Sequence, residues 1–188
     1  MKERIEMCLS GSGGQGLILA GIILAEAAGI YDGKETVQTQ SYGPEARGGA
    51  SRSEVIISND SIDYPKVIKS DILLALTQTA CDKYVKNLNE DGILVADSTL
   101  IKEVHTISNK IYLFPIAETA QKKFGTKLVT NIISLGIIIG LTGVVSRKAI
   151  QKAVDSKVPV KAKEVNKKAL LLGFDIAKDL KAKRRESK

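Results

Sequence analysis

The chain has 188 residues, 44% hydrophobic and 26% charged, with no tryptophan and only 3 phenylalanines; this composition predicts a single soluble globular domain with an aliphatic core and excludes a low-complexity or collagen-like chain. The net charge of +7 is localised: from Arg147 onward 14 Lys/Arg face 5 Asp/Glu, whereas the residues before it hold 14 against 16. Two cysteines, Cys8 and Cys81, are too few for an iron–sulfur cluster or structural zinc held by this chain alone. They are expected as small buried hydrophobes in a reducing cytoplasm, and the N-terminus shows no apolar signal-peptide core.

Along the chain, Ile5, Met7 and Leu9 predict a strand, followed by Gly11-Ser12-Gly13-Gly14-Gln15-Gly16 and the apolar run Leu17–Ala28. That order is strand, glycine turn, helix. Gly11, Gly13 and Gly16 match G-x-G-x-x-G, which brings backbone close to a ligand and aims free helix N–H groups at phosphate or carboxylate. The same turn also serves simply to pack a helix on a sheet. Gln15 adds a side-chain donor where loop meets helix. Thr36–Gln40 and Ser53–Ser58 predict two further strands, and the turn signal Asn59-Asp60 suggests a hairpin and hence a mixed sheet. Asp71–Leu76 has the continuous apolar character of a buried strand. A helix over Thr79–Leu88, strands over Gly92–Asp97 and Lys110–Pro115, and a short helix over Ala117–Lys123 follow. Asn131–Leu141 is apolar but too short for a membrane span, so it predicts a buried or subunit-facing helix. Helices over Arg147–Lys157 and Val160–Lys181 close the chain. The expected fold is α/β, with a Rossmann-like start and a mixed sheet flanked by helices. Residues 1–180 are expected to form one domain and 181–188 a frayed basic tail.

A dinucleotide site would need an acidic residue after the second strand, roughly 20 residues beyond the glycines, to hold a ribose hydroxyl. That position reads Val37-Gln38-Thr39-Gln40-Ser41-Tyr42, without a carboxylate; Asp32 and Glu35 come before the strand and read as loop residues. A stand-alone nucleotide-binding module therefore lacks its second support. The following loop, Tyr42-Gly43-Pro44-Glu45-Ala46-Arg47-Gly48-Gly49, joins a forced bend and adaptable backbone to a fixed cation. Arg47 and Arg52 either face the crevice of the first glycine loop or form surface ion pairs. No nucleophile–base pair stands out: His105 is the sole histidine, and Asp97-Ser98-Thr99 reads as a turn or helix cap. The Lys-rich end lacks aromatics and a reader motif, so solvated helix faces are expected there rather than a nucleic-acid site.

Gly-Ser-Gly-Gly-Gln-Gly at 11–16, Leu-Ala-Gly-Ile-Ile-Leu-Ala-Glu-Ala-Ala at 19–28 and Gln-Ser-Tyr-Gly-Pro-Glu-Ala-Arg-Gly-Gly at 40–49 resemble the gamma subunit of 2-oxoacid:ferredoxin oxidoreductases. Ser51–Ser58, Asp71–Gln78 and Asp97-Ser98 continue the resemblance, which covers about residues 4–180. It implies an α/β domain whose mixed sheet curls toward a barrel. It also implies a role in the CoA-dependent oxidative decarboxylation of a 2-oxoacid to acyl-CoA, CO2 and reduced ferredoxin. Thiamine diphosphate, Mg2+ and [4Fe–4S] clusters are then expected in alpha, beta and delta partners, none being held by this chain, with CoA as co-substrate. The loop Ser41–Gly49, and Ser12 where pyruvate-type members tend to carry Arg, resemble the 2-oxoglutarate type more than the pyruvate or branched-chain types. The residues singled out are Gly11, Gly13, Gly14, Gln15, Gly16, Tyr42, Gly43, Pro44, Glu45, Arg47, Gly48, Gly49 and Arg52, either receiving CoA or docking partner subunits.

Overall fold

In the computed structural model, which describes residues 3–41, 50–108 and 110–186, the chain order is β1 (Arg4–Ser12), α1 (Leu17–Glu26) with a π-helical turn (Ala27–Tyr31), β2 (Glu35–Gln40), β3 (Ala50–Ser58), β4 (Ser70–Ala75) and α2 (Gln78–Tyr84). It continues with β5 (Leu88–Asp97), β6 (Lys110–Phe114), α3 (Ile116–Phe124), α4 (Thr130–Thr142), α5 (Arg147–Lys157) and α6 (Lys163–Glu186). The loop residues Tyr42, Gly43, Pro44, Glu45, Arg47, Gly48 and Gly49 lie outside the described residues.

The sheet runs β2-β3-β1-β4-β5-β6. β1, β4, β5 and β6 are parallel, and β3 runs antiparallel to both β1 and β2. Alternation along each strand sends side chains to two different cores. Met7, Leu9, Ile72, Leu74 and Val95 enter the larger one, beneath α1 and α4, while Cys8, Leu73, Ala75, Leu94 and Ala96 enter a smaller one beneath α2. A parallel strand buried on both faces must be apolar throughout, which is why 71–76 reads as one continuous run.

The sheet is mixed as expected, but for a different reason. Residues 59–69 form no strand, so the hairpin suggested by Asn59-Asp60 is absent; the antiparallel member is β3, inserted between β1 and β2. The stretch is held instead as a loop, with Ile68 N donating to Glu6 Oε2 at 3.0 Å and Arg4 Nη2 to the Tyr64 carbonyl at 2.8 Å. The sheet, expected from the resemblance to curl toward a barrel, does not close into one. β2 and β6 remain its two edges, and both faces are already covered by helices, so no strand face needs a barrel interior to hide it.

Helix boundaries shift where capping chemistry decides them. Thr77 accepts from Ala80 N at 3.3 Å, so α2 starts at Gln78, and Leu88 is taken from the helix by pairing with Ser70. Glu35 belongs to β2, while Asp32 receives both Ser146 N (2.6 Å) and Ser146 Oγ (2.7 Å) and so fixes the start of α5. The stretch 181–186, read as tail, continues α6, and the Arg184 guanidinium sits 5.3 Å from the centre of the Tyr112 ring.

α4 is buried on every side. It crosses α6 at a glycine contact: a Cβ at Gly136 would lie 2.8 Å from Gly173 Cα, and one at Gly173 would lie 2.7 Å from Gly136 Cα. Neither backbone can retreat, because α4 is also pressed on the sheet side by Ile132, Leu135 and Ile139 in the main core. Gly173→Ala should therefore cost about 2 kcal/mol by overpacking and lower Tm by roughly 4–8 °C. Thermal unfolding checks this; a Tm within 1 °C of the parent (about the scatter expected of a surface change) would show that the crossing is slack.

Candidate active-site edge

The C-terminal ends of β1 and β4 lie side by side, with Ser10 opposite Ala75, yet the helices that follow them pack on opposite faces of the sheet. α1 goes to the larger core and α2 to the smaller. Such a divergence leaves a crevice beyond the strand ends, where α/β sheets present ligand sites. Leu76 N bonds the Ser10 carbonyl at 2.9 Å, and buried Ser10 Oγ bonds the Leu74 carbonyl at 2.7 Å, so the two strand ends are tied together at the crevice floor.

The glycine loop forms one wall. Gly11 is the penultimate residue of β1 rather than part of the turn. The left-handed backbone falls at Gly14 (φ 86°) and Gly16 (φ 71°), so it coincides with the G-x-G-x-x-G register only at Gly16. Gln15 folds back, its Oε1 accepting from Ser12 N at 2.7 Å, which closes the loop and leaves the amide's donor side out of this bond. Gly13 and Gly14 are exposed. α1 begins at Gly16 with no side-chain cap and no acidic residue in its first turn, so its leading N–H groups keep their partial positive charge unopposed.

Both ends of the second loop reach the same edge. Ala50 pairs with Ser12 and Ser51 with Gly11, Ser41 N donates to the Arg52 carbonyl at 3.3 Å, and Tyr84 Oη holds the Ala50 carbonyl at 3.3 Å. Residues 41 and 50 are thus fixed beside the first loop. Arg52 behaves differently from Arg47's expected role. It lies on the α2 face, 3.3 Å from Glu54 and 5.3 Å from the Tyr84 ring centre, on the opposite side of the sheet from α1.

The buried acid near the edge has structural work. Asp97 is fully buried and accepts from Thr99 N (2.9 Å), Ile116 N (3.1 Å) and Ala117 N (2.9 Å), which caps α3 as the turn-or-cap expectation held. His105 is exposed, lining a separate 450 Å³ depression with Gln78, Asp82 and Glu103. Two features were missed from sequence: Asn131, which bonds the loop, and Leu128, 80% exposed in the segment leading to it. A polar residue at the start of an otherwise apolar helix was the available signal for Asn131.

A family model described as pyruvate ferredoxin/flavodoxin oxidoreductase matches residues 6–176. The chain belongs to that family. It is 47% identical to 2-oxoglutarate synthase subunit KorC of Methanocaldococcus jannaschii over 182 residues, 96% of this chain and 97% of that one. Ketoisovalerate oxidoreductase subunit VorA of Methanothermobacter thermautotrophicus is 31% identical over 93% of this chain, which corresponds to 37% of that protein. Among solved structures, the gamma subunit of a keto/oxoacid ferredoxin oxidoreductase from Geobacter sulfurreducens superposes with a TM-score of 0.83 at 52% identity, covering 92% of this chain and 98% of that one.

Members of this oxidoreductase family work with iron–sulfur clusters, so the thiols of the chain bear on what it can hold. Burial pushes Cys8 up to about 12, helped by the Glu54 carboxylate and opposed by Arg52; burial and Asp82 push Cys81 to about 11. Thiolate is the reactive form, so both thiols stay protonated and unreactive at neutral pH. These raised values also set a pH dependence. Up to about pH 9 the folded and unfolded chains both keep the protons; above it the unfolded chain loses them first, so stability falls toward pH 11. At pH 8, iodoacetamide should label the native thiols at least ~100-fold more slowly than those of the chain in denaturant. Equal rates would show that the thiols are accessible.

Proposed function

We propose that the chain is the gamma subunit of a 2-oxoglutarate-type 2-oxoacid:ferredoxin oxidoreductase. In that complex a 2-oxoacid loses CO2, its acyl group passes to the CoA thiol, and the two electrons released reduce ferredoxin. The substrate assignment rests on the 47% identity to a 2-oxoglutarate synthase subunit, against 31% to a ketoisovalerate one. Thiamine diphosphate, Mg2+ and the clusters belong in this account to alpha, beta and delta partners in the cytoplasm, and ferredoxin docks through the complex.

The observation that carries the chain's own role is that the first glycine loop and the two ends of the second, residues 41 and 50, meet at one sheet edge, where the buried acid Asp97 is committed to the start of α3. Such an edge binds and orients. The uncapped start of α1 and the Gln15 amide suit a phosphate, and Arg47 supplies a fixed cation on the neighbouring loop. CoA carries phosphates of that kind. The edge therefore receives the CoA chain and holds it against a reaction centre that other subunits complete. Exposed Leu128 beside it suits the apolar core of a subunit contact.

Tagged chain purified from its own cells should bring down partners bearing thiamine diphosphate and [4Fe–4S] centres, with 2-oxoglutarate-dependent ferredoxin reduction. In the assembled enzyme Arg47→Ala should raise the KM for CoA about tenfold, the scale of one lost charge-assisted hydrogen bond. An unchanged constant with intact assembly would remove the CoA role. Weakened assembly with a normal constant would make both loops docking elements instead.

A further inference from the structure

Asn131 is 3% exposed and stands at the start of α4, 115 residues away from the glycine loop in sequence. Its Nδ2 donates to the Gly16 carbonyl at 3.0 Å, while its Oδ1 accepts from Ile132 N at 2.9 Å. The Gly16 carbonyl already accepts the first bond of α1, from Ala20 N at 3.0 Å, so the side-chain amide takes its second lone pair. The fit is mutual: a Cβ at Gly16 would come within 2.5 Å of Asn131 Nδ2. Gly16 thus needs to be glycine twice over, for its left-handed φ and for the closeness of this amide.

The post to which the loop is tied cannot drift. α4 is buried throughout and locked against α6 at the Gly136–Gly173 contact. On the other side of Gly16, Gln15 latches Ser12 N. The last residue of the loop is therefore held at one end by the sheet and at the other by the helical layer, and the leading N–H groups of α1 inherit that fixed aim. Only an amide of this length both donates to Gly16 and accepts from Ile132.

We propose that Asn131 is a positioning residue: it sets the orientation of the Gly11–Gly16 loop and of the first turn of α1, and through them the binding of the CoA phosphates. The second half of this proposal rests on the CoA-receiving role assigned to the edge above. Asn131 touches no reacting atom in this account, and its effect is carried by the Gly16 carbonyl.

Asn131→Ala and Asn131→Asp separate positioning from helix capping. Aspartate keeps an acceptor for Ile132 N but has no proton for the Gly16 carbonyl when ionised. Both variants, assembled into the complete oxidoreductase and assayed at pH 7.5, should speed amide hydrogen exchange in the segment 12–19 while leaving 133–142 unchanged. Both should also raise the KM for CoA about tenfold, with kcat and the KM for 2-oxoacid within roughly twofold. Unchanged exchange in 12–19 overturns the proposal whatever the kinetics show. An aspartate variant indistinguishable from the parent overturns it too, because capping of α4 would then be the whole role. Faster exchange with an unchanged KM for CoA also overturns it, and Arg47→Ala then says how far the damage extends. If Arg47→Ala still raises that constant, the CoA site stands without Asn131; if it does not, the CoA role of the edge falls as well.

Discussion

Burial of α4 is the constraint on which the rest of this molecule depends. A helix running Thr-Asn-Ile-Ile-Ser-Leu-Gly-Ile-Ile-Ile-Gly-Leu-Thr has no polar stripe to offer water, so every side of it must be covered. The sheet covers one side and α6 another, and α6 approaches closely enough only because Gly136 and Gly173 meet with nothing between their backbones. The layered architecture follows from that demand. So does the placement of Asn131, a polar residue near the start of α4 whose amide reaches across to the Gly16 carbonyl.

Most of the strands could be read from the chain because two-sided burial leaves an unmistakable apolar run, as in Ile72-Leu73-Leu74-Ala75, where alternate residues enter different cores. What could not be read was pairing. Nothing local in Ser53–Ser58 says that this strand slips between β1 and β2, and the Asn59-Asp60 turn signal pointed to a hairpin that Arg4 and Glu6 prevent by pinning the following loop. The end of α6 was misjudged for a related reason. Its Lys/Arg-rich sequence looks like a solvated tail, and only the tertiary contact of Arg184 with Tyr112 shows otherwise. The glycine loop was legible as the turn between β1 and α1, but not in its details. The motif register marks Gly11, Gly13 and Gly16, whereas backbone geometry demands glycine at Gly14 and Gly16.

The arrangement divides labour in a way that suits a subunit of a larger oxidoreductase. The buried Asp97 and Asn131 and the half-buried Asp32 are spent on helix starts and on the loop. Among the described residues, the glycine loop at the strand ends offers exposed backbone at Gly13 and Gly14 and the side-chain amide of Gln15. An edge of that composition can grip an anionic chain rigidly. In the proposed account, chemistry on the gripped molecule falls to groups brought by other chains.

The central claim is that this edge faces an active site completed by partner subunits. A photoreactive amino acid in place of Leu128, 80% exposed in the segment beside the glycine loop, tests it in the assembled enzyme. Irradiation is predicted to join this chain to a thiamine-bearing subunit, with the yield reduced when CoA is present. An active complex that gives no cross-link from this position would contradict the claim and place the reaction centre elsewhere.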